Sequence, residues 1–459
     1  METGNEGYKA WENMSELIIS VSGLRGIVGE TLTPEVATRF VAAFASKLPS
    51  GPIIVGRDGR NSGPMLSRAI TAALMASGRD CIEADVAATP TIGVLVRELQ
   101  AAGAVQISAS HNPPPYNGIK LFGPAGRVLD AETGSAIRDA YFAHETDWAT
   151  FDQLGTITNS LDPHLPHLDK VLATVDVAAI AMAKHRVLLD SNHGAGGLLG
   201  RRLLEKLGCE IVLVGETPDG QFAHVPEPTA ENLKGIAELV RTEKCAVGFC
   251  QDPDADRLAL VDGAGRYIGE ELTLALCVQR AMSHPDTRGP IVINGATSGM
   301  SESLAEQAGV QSFRSAVGEA NVADMMIAQN ATYGGEGNGG PIDPRVGYVR
   351  DSFVGMAQVL DLMTSSGNSL AELADALPKF HIVKSVAQVT ADELPVLLSR
   401  LVSAHPEADA TTGDGLRLAW SDKWLLVRGS NTEPIVRLIA EAQTQAEAQD
   451  LCDRAAALI

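Results

Sequence analysis

The sequence is poor in cysteine, lacks long apolar runs, and carries far fewer basic than acidic residues. Its six cysteines are dispersed over 459 residues without a Cys-x-x-Cys pair, so neither a zinc site nor a redox motif is indicated. Such thiols are typical of reduced core cysteines in a cytosolic protein. No stretch of about 18 uninterrupted apolar residues occurs, and we therefore expect no membrane-spanning helix and no membrane partner.

The first thirteen residues lack the basic and apolar regions of a secretory signal, so we expect a cytoplasmic protein. The net charge of −21, from 36 basic and 57 acidic residues, argues against nucleic acid as a partner. Any anionic ligand must then be small and bound locally. Six arginines set among glycines and hydroxyl residues are candidates for such binding: Arg25, Arg57, Arg60, Arg257, Arg428 and Arg437.

At about 100–150 residues per domain, 459 residues leave room for three or four domains. Three segments, whose first strands begin at Ile53, Val187 and Ile291, share one order of strand, small-residue loop, helix and strand. This order is the βαβ unit, and it predicts three related α/β domains. After Pro378 the pattern changes to a smaller α+β domain with antiparallel strands, a loop and a final amphipathic helix. The predicted domain ranges are 15–165, 166–265, 266–375 and 376–459.

Ser110 lies in a loop that three consecutive prolines stiffen. An apolar strand ends at Ser108, and residues 113–115 cannot continue a helix or a sheet ladder because proline lacks a backbone donor. We therefore expect a rigid, exposed loop, which suits a nucleophile or a phosphate acceptor. Most loops of this composition are only turns.

Three carboxylates, Asp252, Asp254 and Asp256, follow an apolar strand at alternate positions. In an extended or turning loop they can point to one side, and their mutual repulsion then requires a cation. All the ligands are hard oxygens, so Mg²⁺ fits best. The alternative is a solvated acidic turn, which the strands on both sides and Arg257 at the end of the loop disfavour.

Two later loops offer groups for a phosphorylated sugar. Glu336 and Asn338 project from a segment with five glycines in eight residues, and a carboxylate beside an amide suits adjacent sugar hydroxyls. A second loop offers backbone N–H groups, hydroxyls, an amide and two guanidiniums to a phosphate: Arg428, Ser430, Asn431, Thr432 and Arg437. Arg25, near the N-terminus, is placed among glycines and could support a phosphate on Ser110. Each of these segments, considered alone, is also compatible with an ordinary turn.

Nucleotide-binding motifs are not found. The glycine loop at 190–200 is similar to a dinucleotide fingerprint, but Leu199 replaces its third glycine, so helix–strand packing explains the loop better. No Walker-type Gly-Lys-Ser/Thr sequence occurs. A nucleoside triphosphate is therefore not implied.

Together the four loops resemble those of the α-D-phosphohexomutase superfamily. The matching sequences are Ser-Ala-Ser-His-Asn-Pro at 108–113, Asp-x-Asp-x-Asp-Arg at 252–257, Gly-Glu-x-x-Gly at 335–339 and Arg-x-Ser-x-Thr-Glu-Pro at 428–434. The resemblance extends from about residue 18 to the C-terminus, with all four loops in order. It implies three similar α/β domains with mixed sheets plus a C-terminal α+β domain, arranged around a central cleft.

The resemblance also implies a phosphohexomutase, an intramolecular phosphotransferase that interconverts hexose 6-phosphate and hexose 1-phosphate. Ser110 would carry the phosphoryl group, with a hexose 1,6-bisphosphate as intermediate and activator. One Mg²⁺ per active site would be held by the three aspartates and a phosphate oxygen on Ser110, since phosphoryl transfer depends on positioning and charge neutralisation. Arg257 and Arg25 would add positive charge.

The remaining roles follow from the same resemblance. Lys120 or His111 would transfer the proton, although His111 is almost as well explained as a structural loop residue. Glu336 and Asn338 would hold the ring hydroxyls. The loop that contains Arg428 would bind the distal phosphate.

One residue departs from the family pattern. Several members carry a histidine after the Gly-Glu-x-x-Gly loop, where this chain has Gly340, so that acid/base role falls to Lys120, His111, an arginine or water. The Glu-Gly-Asn-Gly-Gly form looks like a variant of phosphoglucosamine mutases and broad hexose phosphomutases. We therefore expect a phosphoglucosamine mutase, with a phosphomannomutase/phosphoglucomutase as the alternative.

Two other classes of function stay open at this point. One is a metal-dependent phosphatase that uses Ser110 as a transient nucleophile. The other is a non-catalytic phosphosugar-binding protein, which would need neither Ser110 nor the aspartates nor Lys120. Small sugar phosphates are the expected partners, and a monomer or homodimer is the expected assembly.

Overall fold

The computed structural model describes residues 17–390, 392–429 and 435–459. These residues form two compact units. One unit holds the described residues up to Tyr267 together with Arg345–Ala357, and the other holds Ile268–Pro344 and the described residues from Gln358 onward. Each unit contains two of the sheets described below.

The first sheet and its helices contain β1 (Ile18–Ser20), β2 (Gly23–Ile27), α1 (Pro34–Lys47), β3 (Ile53–Arg57), α2 (Gly63–Ala76), β4 (Cys81–Val86), α3 (Thr89–Glu98), β5 (Gly103–Ile107), β6 (Tyr116–Phe122), α4 (Ala131–Phe142) and β7 (Ile157–Asn159). The strand order is β1-β2-β6-β5-β3-β4-β7. The β3 strand pairs in parallel with β4 and β5, whereas β6 pairs antiparallel with β5 and β2. The sheet is therefore mixed.

The second sheet completes the first unit. Its elements are α5 (Leu165–Leu172), α6 (Val177–Ala183), β8 (Arg186–Asp190), α7 (Gly196–Lys206), β9 (Glu210–Val214), α8 (Lys234–Thr242), β10 (Val247–Gln251) and β11 (Leu258–Asp262). In the order β11-β10-β8-β9, only β11 is antiparallel to its neighbour. The two central strands β8 and β10 and the edge strand β11 are almost wholly buried, as their continuous apolar runs predict.

The third sheet belongs to the second unit. The elements of this part of the chain are α9 (Glu270–Ser283), β12 (Ile291–Asn294), α10 (Met300–Gln307), β13 (Ser312–Ser315), α11 (Glu319–Ala328), β14 (Tyr333–Glu336), β15 (Gly340–Ile342), α12 (Ser352–Ser366) and α13 (Leu370–Ala376). The order is β13-β12-β14-β15, with parallel pairs up to β14 and an antiparallel β15. It is again a mixed sheet.

The fourth sheet is antiparallel throughout. It comprises β16 (His381–Gln388), α14 (Leu394–Ala404), β17 (Asp409–Gly413), β18 (Gly415–Ala419), β19 (Trp424–Gly429), β20 (Ile435–Ala442) and α15 (Gln445–Ala456), in the strand order β16-β20-β19-β18-β17. The predicted fold class is confirmed, because three mixed α/β sheets precede an antiparallel sheet with helices. Two of its strands, β17 and β20, were not predicted. Since β20 pairs with both β16 and β19, long-range pairing makes this apolar segment a strand.

Topology places three of the candidate loops at the carboxyl ends of parallel strands, where ligands bind in α/β sheets. Ser110 follows β5, Asp252 follows β10, and Glu336 is the last residue of β14. Among the described helices, none has the length and apolar character needed to span a membrane. All six cysteines lie within the described residues and are free.

Two helical glycines test the packing of this fold. A Cβ on Gly134 in α4 would lie 2.1 Å from the carbonyl oxygen of Val21, whereas a Cβ on Gly235 in α8 would have nothing within 4 Å. We expect Gly134→Ala to destabilise the protein by about 1–3 kcal/mol through overpacking. Gly235→Ala should stabilise it by about 0.5–1 kcal/mol because alanine loses less entropy in a helix. Thermal unfolding of both variants measures the two opposite shifts, and equal shifts would contradict the packing around α4.

Candidate active site

Ser110 is buried, with 1% of its surface exposed. Its backbone lies in the left-handed region at φ 50°, which non-glycine residues adopt rarely. The hydroxyl donates to Asp252 Oδ2 at 2.8 Å and lies 3.2 Å from His111 Nδ1. The prediction of an exposed Ser110 is therefore wrong, because its side chain bonds to a carboxylate that follows the second sheet.

The Ser110 loop is held by Arg60, which is 2% exposed. The Arg60 guanidinium donates to Asp58 Oδ2 at 3.1 Å. It also donates at 2.6–2.9 Å to four backbone carbonyl oxygens of the loop, those of Ser110, Asn112, Pro113 and Tyr116. All five guanidinium N–H donors are thereby used. The prediction that Arg60 is a candidate for an anionic ligand is wrong, since it stabilises the loop instead.

Asp252, Asp254 and Asp256 are all fully buried. Each offers an oxygen within 4.8 Å of the others, so the prediction that the three carboxylates point to one side is confirmed. Asp252 Oδ1 accepts from the backbone N–H of Arg257 at 3.1 Å. This bond folds the loop back on itself, and it directs the other Asp252 oxygen to the Ser110 hydroxyl.

The charges in this cluster fit a divalent cation. Asp254 Oδ1 and Asp256 Oδ1 are buried without a hydrogen-bond partner, which is costly for a carboxylate oxygen unless something binds it. The donor set consists of hard oxygens, the kind that Mg²⁺ prefers. These two oxygens, together with Asp252, are the atoms that would hold the ion.

The three carboxyl groups differ in acidity. Burial and the charges of Asp254 and Asp256 raise the pKa of Asp252 well above its usual range. Burial also opposes ionisation of Asp254 and Asp256, but Lys120 outweighs it at Asp254, and Arg350 with Lys120 outweighs it at Asp256, so the pKa of each is lowered. The site is thus arranged to keep at least two buried negative charges.

Lys120 and Arg25 reach this site from neighbouring strands. Arg25 was expected among glycines in a possible turn, but it lies on β2, where it pairs with Gly118, and Lys120 lies on the adjacent β6. Because alternate residues of a strand share a face, Lys120 and Arg25 project from the same side of the sheet. The Lys120 ammonium lies 2.5 Å from Asp254 Oδ2 and 2.9 Å from Asp256 Oδ2.

Two further residues that contact the aspartates were not predicted. Arg350 donates to Asp256 Oδ2 at 2.7 Å, and the Thr89 hydroxyl donates to Asp254 Oδ2 at 2.5 Å. Thr89 begins α3, and Arg350 precedes α12. Neither belongs to a glycine-rich or acidic motif, so the sequence carried no local signal for them.

His111 and Arg257 complete the surroundings of Ser110. Burial, followed by the charges of Arg257 and Arg25, holds the pKa of His111 well below its usual value, so the imidazole is neutral. Arg25 donates to Asn112 Oδ1 at 3.1 Å, which links it to the same loop. Arg257 Nε lies 3.9 Å from Asp256 Oδ1.

In the second unit, Glu336 is 3% exposed. Its Oε1 accepts from Asn294 Nδ2 at 2.7 Å and from the backbone N–H of Gly318 at 3.1 Å. Asn338 Nδ2 lies 3.4 Å from Glu336 Oε2, and Asn338 Oδ1 is buried without a partner. The structure therefore holds these two predicted residues side by side, at the end of the β14–β15 hairpin.

Arg428 and Arg437 face each other across β19 and β20. Directly opposed residues of antiparallel strands share one face of the sheet, and like charges there repel. Such a pair favours a bound anion. Three predicted residues of the connecting loop, Ser430, Asn431 and Thr432, lie outside the described residues.

The glycine loop at 190–200 supports the aspartate loop, as the packing interpretation predicts. A Cβ on Gly194 would lie 2.4 Å from the carbonyl oxygen of Pro253, and one on Gly196 would lie 2.1 Å from Gln251 Oε1. Side chains at these positions would push the aspartate loop away. The glycines thus serve close packing.

Four domain families match the chain in order. They are described as phosphoglucomutase/phosphomannomutase alpha/beta/alpha domain I at residues 17–148, domain II at 165–265, domain III at 270–380, and the C-terminal domain at 383–458. A phosphoglucomutase/phosphomannomutase of Thermococcus kodakarensis is 36% identical over 93% of this chain and 95% of its own length. A probable phosphoglucosamine mutase of Methanopyrus kandleri is 33% identical over 94% and 95%.

Solved structures show the same architecture. A phosphoglucomutase/phosphomannomutase family protein from Burkholderia thailandensis superposes with a TM-score of 0.83 at 25% identity, covering 95% of this chain and 97% of its own. A putative phosphomannomutase from Thermus thermophilus superposes with a TM-score of 0.82 at 24% identity, covering 96% and 98%, and supports the fold alone.

Replacement of Arg60 tests what holds the Ser110 loop. Arg60→Lys leaves three donors in place of five, so buried carbonyl oxygens lose their partners at about 1–3 kcal/mol each. We expect hydrogen exchange of the backbone amides of Asn112 and Tyr116, which donate within the loop, to become at least about tenfold faster. Arg57→Lys is the matched control, because the Arg57 ion pair is with Asp85, whose side chain is 77% exposed. Equal exchange rates in both variants would contradict the role of Arg60.

Proposed function

The chain belongs to the phosphoglucomutase/phosphomannomutase family, and we propose that it acts on hexose phosphates through a phosphoserine at Ser110. Members of the family that it matches are mutases, so the chain is an enzyme that moves phosphate within its substrate. The observation that carries the proposal is the Ser110 hydroxyl, buried 2.8 Å from Asp252 in a cluster of three carboxylates.

The proposed cycle has two transfers. In the first, a hydroxyl oxygen of the sugar monophosphate attacks phosphorus on Ser110, the bond from phosphorus to Ser110 Oγ breaks, and the attacking hydroxyl loses its proton. The product is a hexose 1,6-bisphosphate, and Ser110 Oγ is left as an alkoxide or hydroxyl. In the second transfer Ser110 Oγ attacks the phosphorus of the other phosphate group, the bond from that phosphorus to the sugar oxygen breaks, and the sugar oxygen takes up a proton. This regenerates the phosphoserine and releases the isomeric monophosphate. No phosphate is consumed in the cycle.

The surrounding charges suit these transfers. Phosphoryl transfer needs positioning and neutralisation of negative charge more than covalent chemistry. Lys120, Arg25 and Arg257 place three cationic groups around Ser110 and the aspartates. A Mg²⁺ ion, when bound at Asp252, Asp254 and Asp256, would supply further charge neutralisation.

Two groups are placed to transfer the proton. His111 is neutral, and its Nδ1 lies 3.2 Å from Ser110 Oγ, so it is suited to exchange a proton there. Lys120 lies within 3 Å of two carboxylates and is suited to exchange a proton with the sugar oxygen that attacks or leaves. With Gly340 in place of a histidine, we assign the acid/base role to these two residues.

We assign recognition of the sugar to the second unit. Glu336 and Asn338 would hold the ring hydroxyls, since a carboxylate and an amide beside each other match adjacent hydroxyls. Arg428, Ser430, Asn431, Thr432 and Arg437 would bind the phosphate that is not being transferred. For either phosphate to reach Ser110, these contacts have to accept the sugar in two orientations.

The proposed substrate pair is glucosamine 6-phosphate and glucosamine 1-phosphate. Support comes from the Glu336–Asn338 loop variant and from two relatives, one named a probable phosphoglucosamine mutase and one a phosphoglucosamine/phosphogalactosamine mutase. Glucose and mannose phosphates are the alternative, supported by the phosphoglucomutase/phosphomannomutase relative at 36% identity. Glucose and mannose are epimers that differ in the orientation of one hydroxyl group. The residues around Glu336 would have to distinguish the two orientations.

Removal of the Ser110 hydroxyl tests the phosphoserine. After incubation with glucose 1,6-bisphosphate, the wild-type protein should gain about 80 Da, the mass of one phosphoryl group, and Ser110→Ala should gain nothing. Mutase activity of Ser110→Ala should fall by about three orders of magnitude or more, as expected for a lost nucleophile. Ser399→Ala, at an exposed position of α14, is the control and should retain both properties. Full activity of Ser110→Ala would exclude the mechanism.

A panel of sugar 1-phosphates tests the substrate. We expect kcat/KM to be highest for glucosamine 1-phosphate and lower by about tenfold or more for glucose and mannose 1-phosphates, since one unmatched polar group costs roughly 1–3 kcal/mol. A coupled assay with equal Mg²⁺ in every reaction measures this order. A higher kcat/KM for mannose or glucose 1-phosphate would replace the proposed substrate by the alternative.

A further inference from the structure

Asp414 lies between two predicted substrate contacts of the second unit. Its Oδ1 accepts from Arg428 Nε at 2.5 Å, and its Oδ2 accepts from the backbone N–H of Val317 at 2.8 Å. Arg428 is the predicted phosphate ligand, and Val317 precedes Gly318, whose N–H donates to Glu336 Oε1 at 3.1 Å. One carboxylate thus connects the phosphate-binding arginine to the backbone that holds the sugar-binding glutamate.

The chain around Asp414 is built to keep it there. Asp414 is the tip of the β17–β18 hairpin, between Gly413 at φ 136° and Gly415 at φ 82°, both in the region that favours glycine. A Cβ on Gly415 would lie 2.2 Å from the carbonyl oxygen of Val427 and 3.0 Å from Arg428 Cα. The hairpin tip is therefore pressed directly against the strand that carries Arg428.

These residues border a cavity of about 470 Å³. Its lining includes Asp414, Arg428, Arg314, Arg417 and Val317. The side chains of Asp414 and Arg428 are 25% and 28% exposed, so both can be reached from the cavity. Three arginines and one carboxylate give the cavity a positive excess, which suits a phosphorylated sugar.

We propose that Asp414 is a positioning residue for the mutase reaction. It engages Arg428 through Nε and so fixes the plane of the guanidinium, and it fixes the turn at Val317 with its second oxygen. Arg428 and Glu336 are thereby held in one arrangement before substrate binds, which lowers the entropic cost of binding. This inference rests on the proposed function, because it assumes that Arg428 binds a phosphate of the substrate.

The charge of Asp414 has an opposing effect, since a carboxylate near a phosphate repels it. The carboxylate is itself neutralised by Arg428, and the opposed Arg437 adds a second positive charge on the same face. We therefore expect the positioning effect to outweigh the repulsion.

The test is Asp414→Asn, which keeps the size of the side chain but has a single acceptor oxygen for two donors. We expect KM for the preferred sugar 1-phosphate to rise about tenfold, as for a lost hydrogen bond to a charged group, with a smaller change in kcat. A lower affinity of Asp414→Asn for the bisphosphate should also raise the glucose 1,6-bisphosphate concentration needed for half-maximal activation. Asp409→Asn, at an exposed position of β17, is the matched control and should change none of these values.

A double-mutant cycle separates positioning from general damage. Arg428→Lys should raise KM alone, and Asp414→Asn should add little in its presence, because Asp414 acts through Arg428. Additive effects of the two substitutions, or a KM of Asp414→Asn equal to or below that of the wild type, would overturn the inference. A lowered melting temperature with additive effects would identify Asp414 as merely structural.

A wrong assignment of function and a wrong role for Asp414 give different experimental results. If the wild-type protein isomerises no sugar phosphate, that function is wrong, and calorimetric binding of glucose 1-phosphate then tests Asp414 by itself. An affinity about tenfold weaker in Asp414→Asn than in the wild type would support the positioning role. Equal affinity, or no binding by either protein, would overturn it.

Discussion

The burial of three carboxylates beside one serine is the constraint on which the first unit depends. Desolvation and mutual repulsion make such a cluster costly unless cations and hydrogen bonds compensate it. Lys120 and Arg350 contact the carboxylates directly, the Thr89 hydroxyl donates to one of them, and two oxygens are left for a metal ion. The cluster is therefore a site for positive charge, and a cation bound there would also neutralise a phosphoryl group on Ser110.

Rigidity around Ser110 follows from a second buried group. All the guanidinium donors of Arg60 bond to Asp58 and to four carbonyl oxygens of the loop. These hydrogen bonds offset the strain of a serine at positive φ. The loop thereby presents Ser110 Oγ in one position relative to Asp252. Since phosphoryl transfer is sensitive to misplacement of the reacting atoms, a fixed loop is as important to the proposed reaction as the charges.

Contiguous motifs in the sequence predicted the parts of the site that they contain. The aspartates are three residues of one loop, so their spacing alone indicates a shared side, and the strand–loop–helix order predicts the three α/β domains. Arg350 and Thr89 could not be found this way, because only the packing of distant segments brings them to Asp256 and Asp254. Arg60 was predicted as a candidate for binding an anionic ligand, because a sequence does not show which guanidinium donors are bonded to other groups of the protein.

The same limit applies to the second unit. Glu336 and Asn338 stand out in a glycine-rich loop, but Asp414 is a single residue in a hairpin that was not predicted as such. Its connection to Arg428 and Val317 arises from sheet pairing between β18 and β19 and from a loop far away in sequence. Functional side chains within one motif can therefore be predicted from the sequence, whereas the residues that orient them depend on the fold.

The fate of a phosphoryl group on Ser110 tests the central claim most directly. The enzyme is labelled with ³²P on Ser110, freed of excess label, and mixed for a single turnover with unlabelled sugar monophosphate and Mg²⁺. The account predicts that the label appears in hexose 1,6-bisphosphate and then in the isomeric product monophosphate, on the oxygen that was free in the starting sugar. Label recovered only as inorganic phosphate would identify a phosphatase, and a protein that accepts no label on Ser110 would contradict the account altogether.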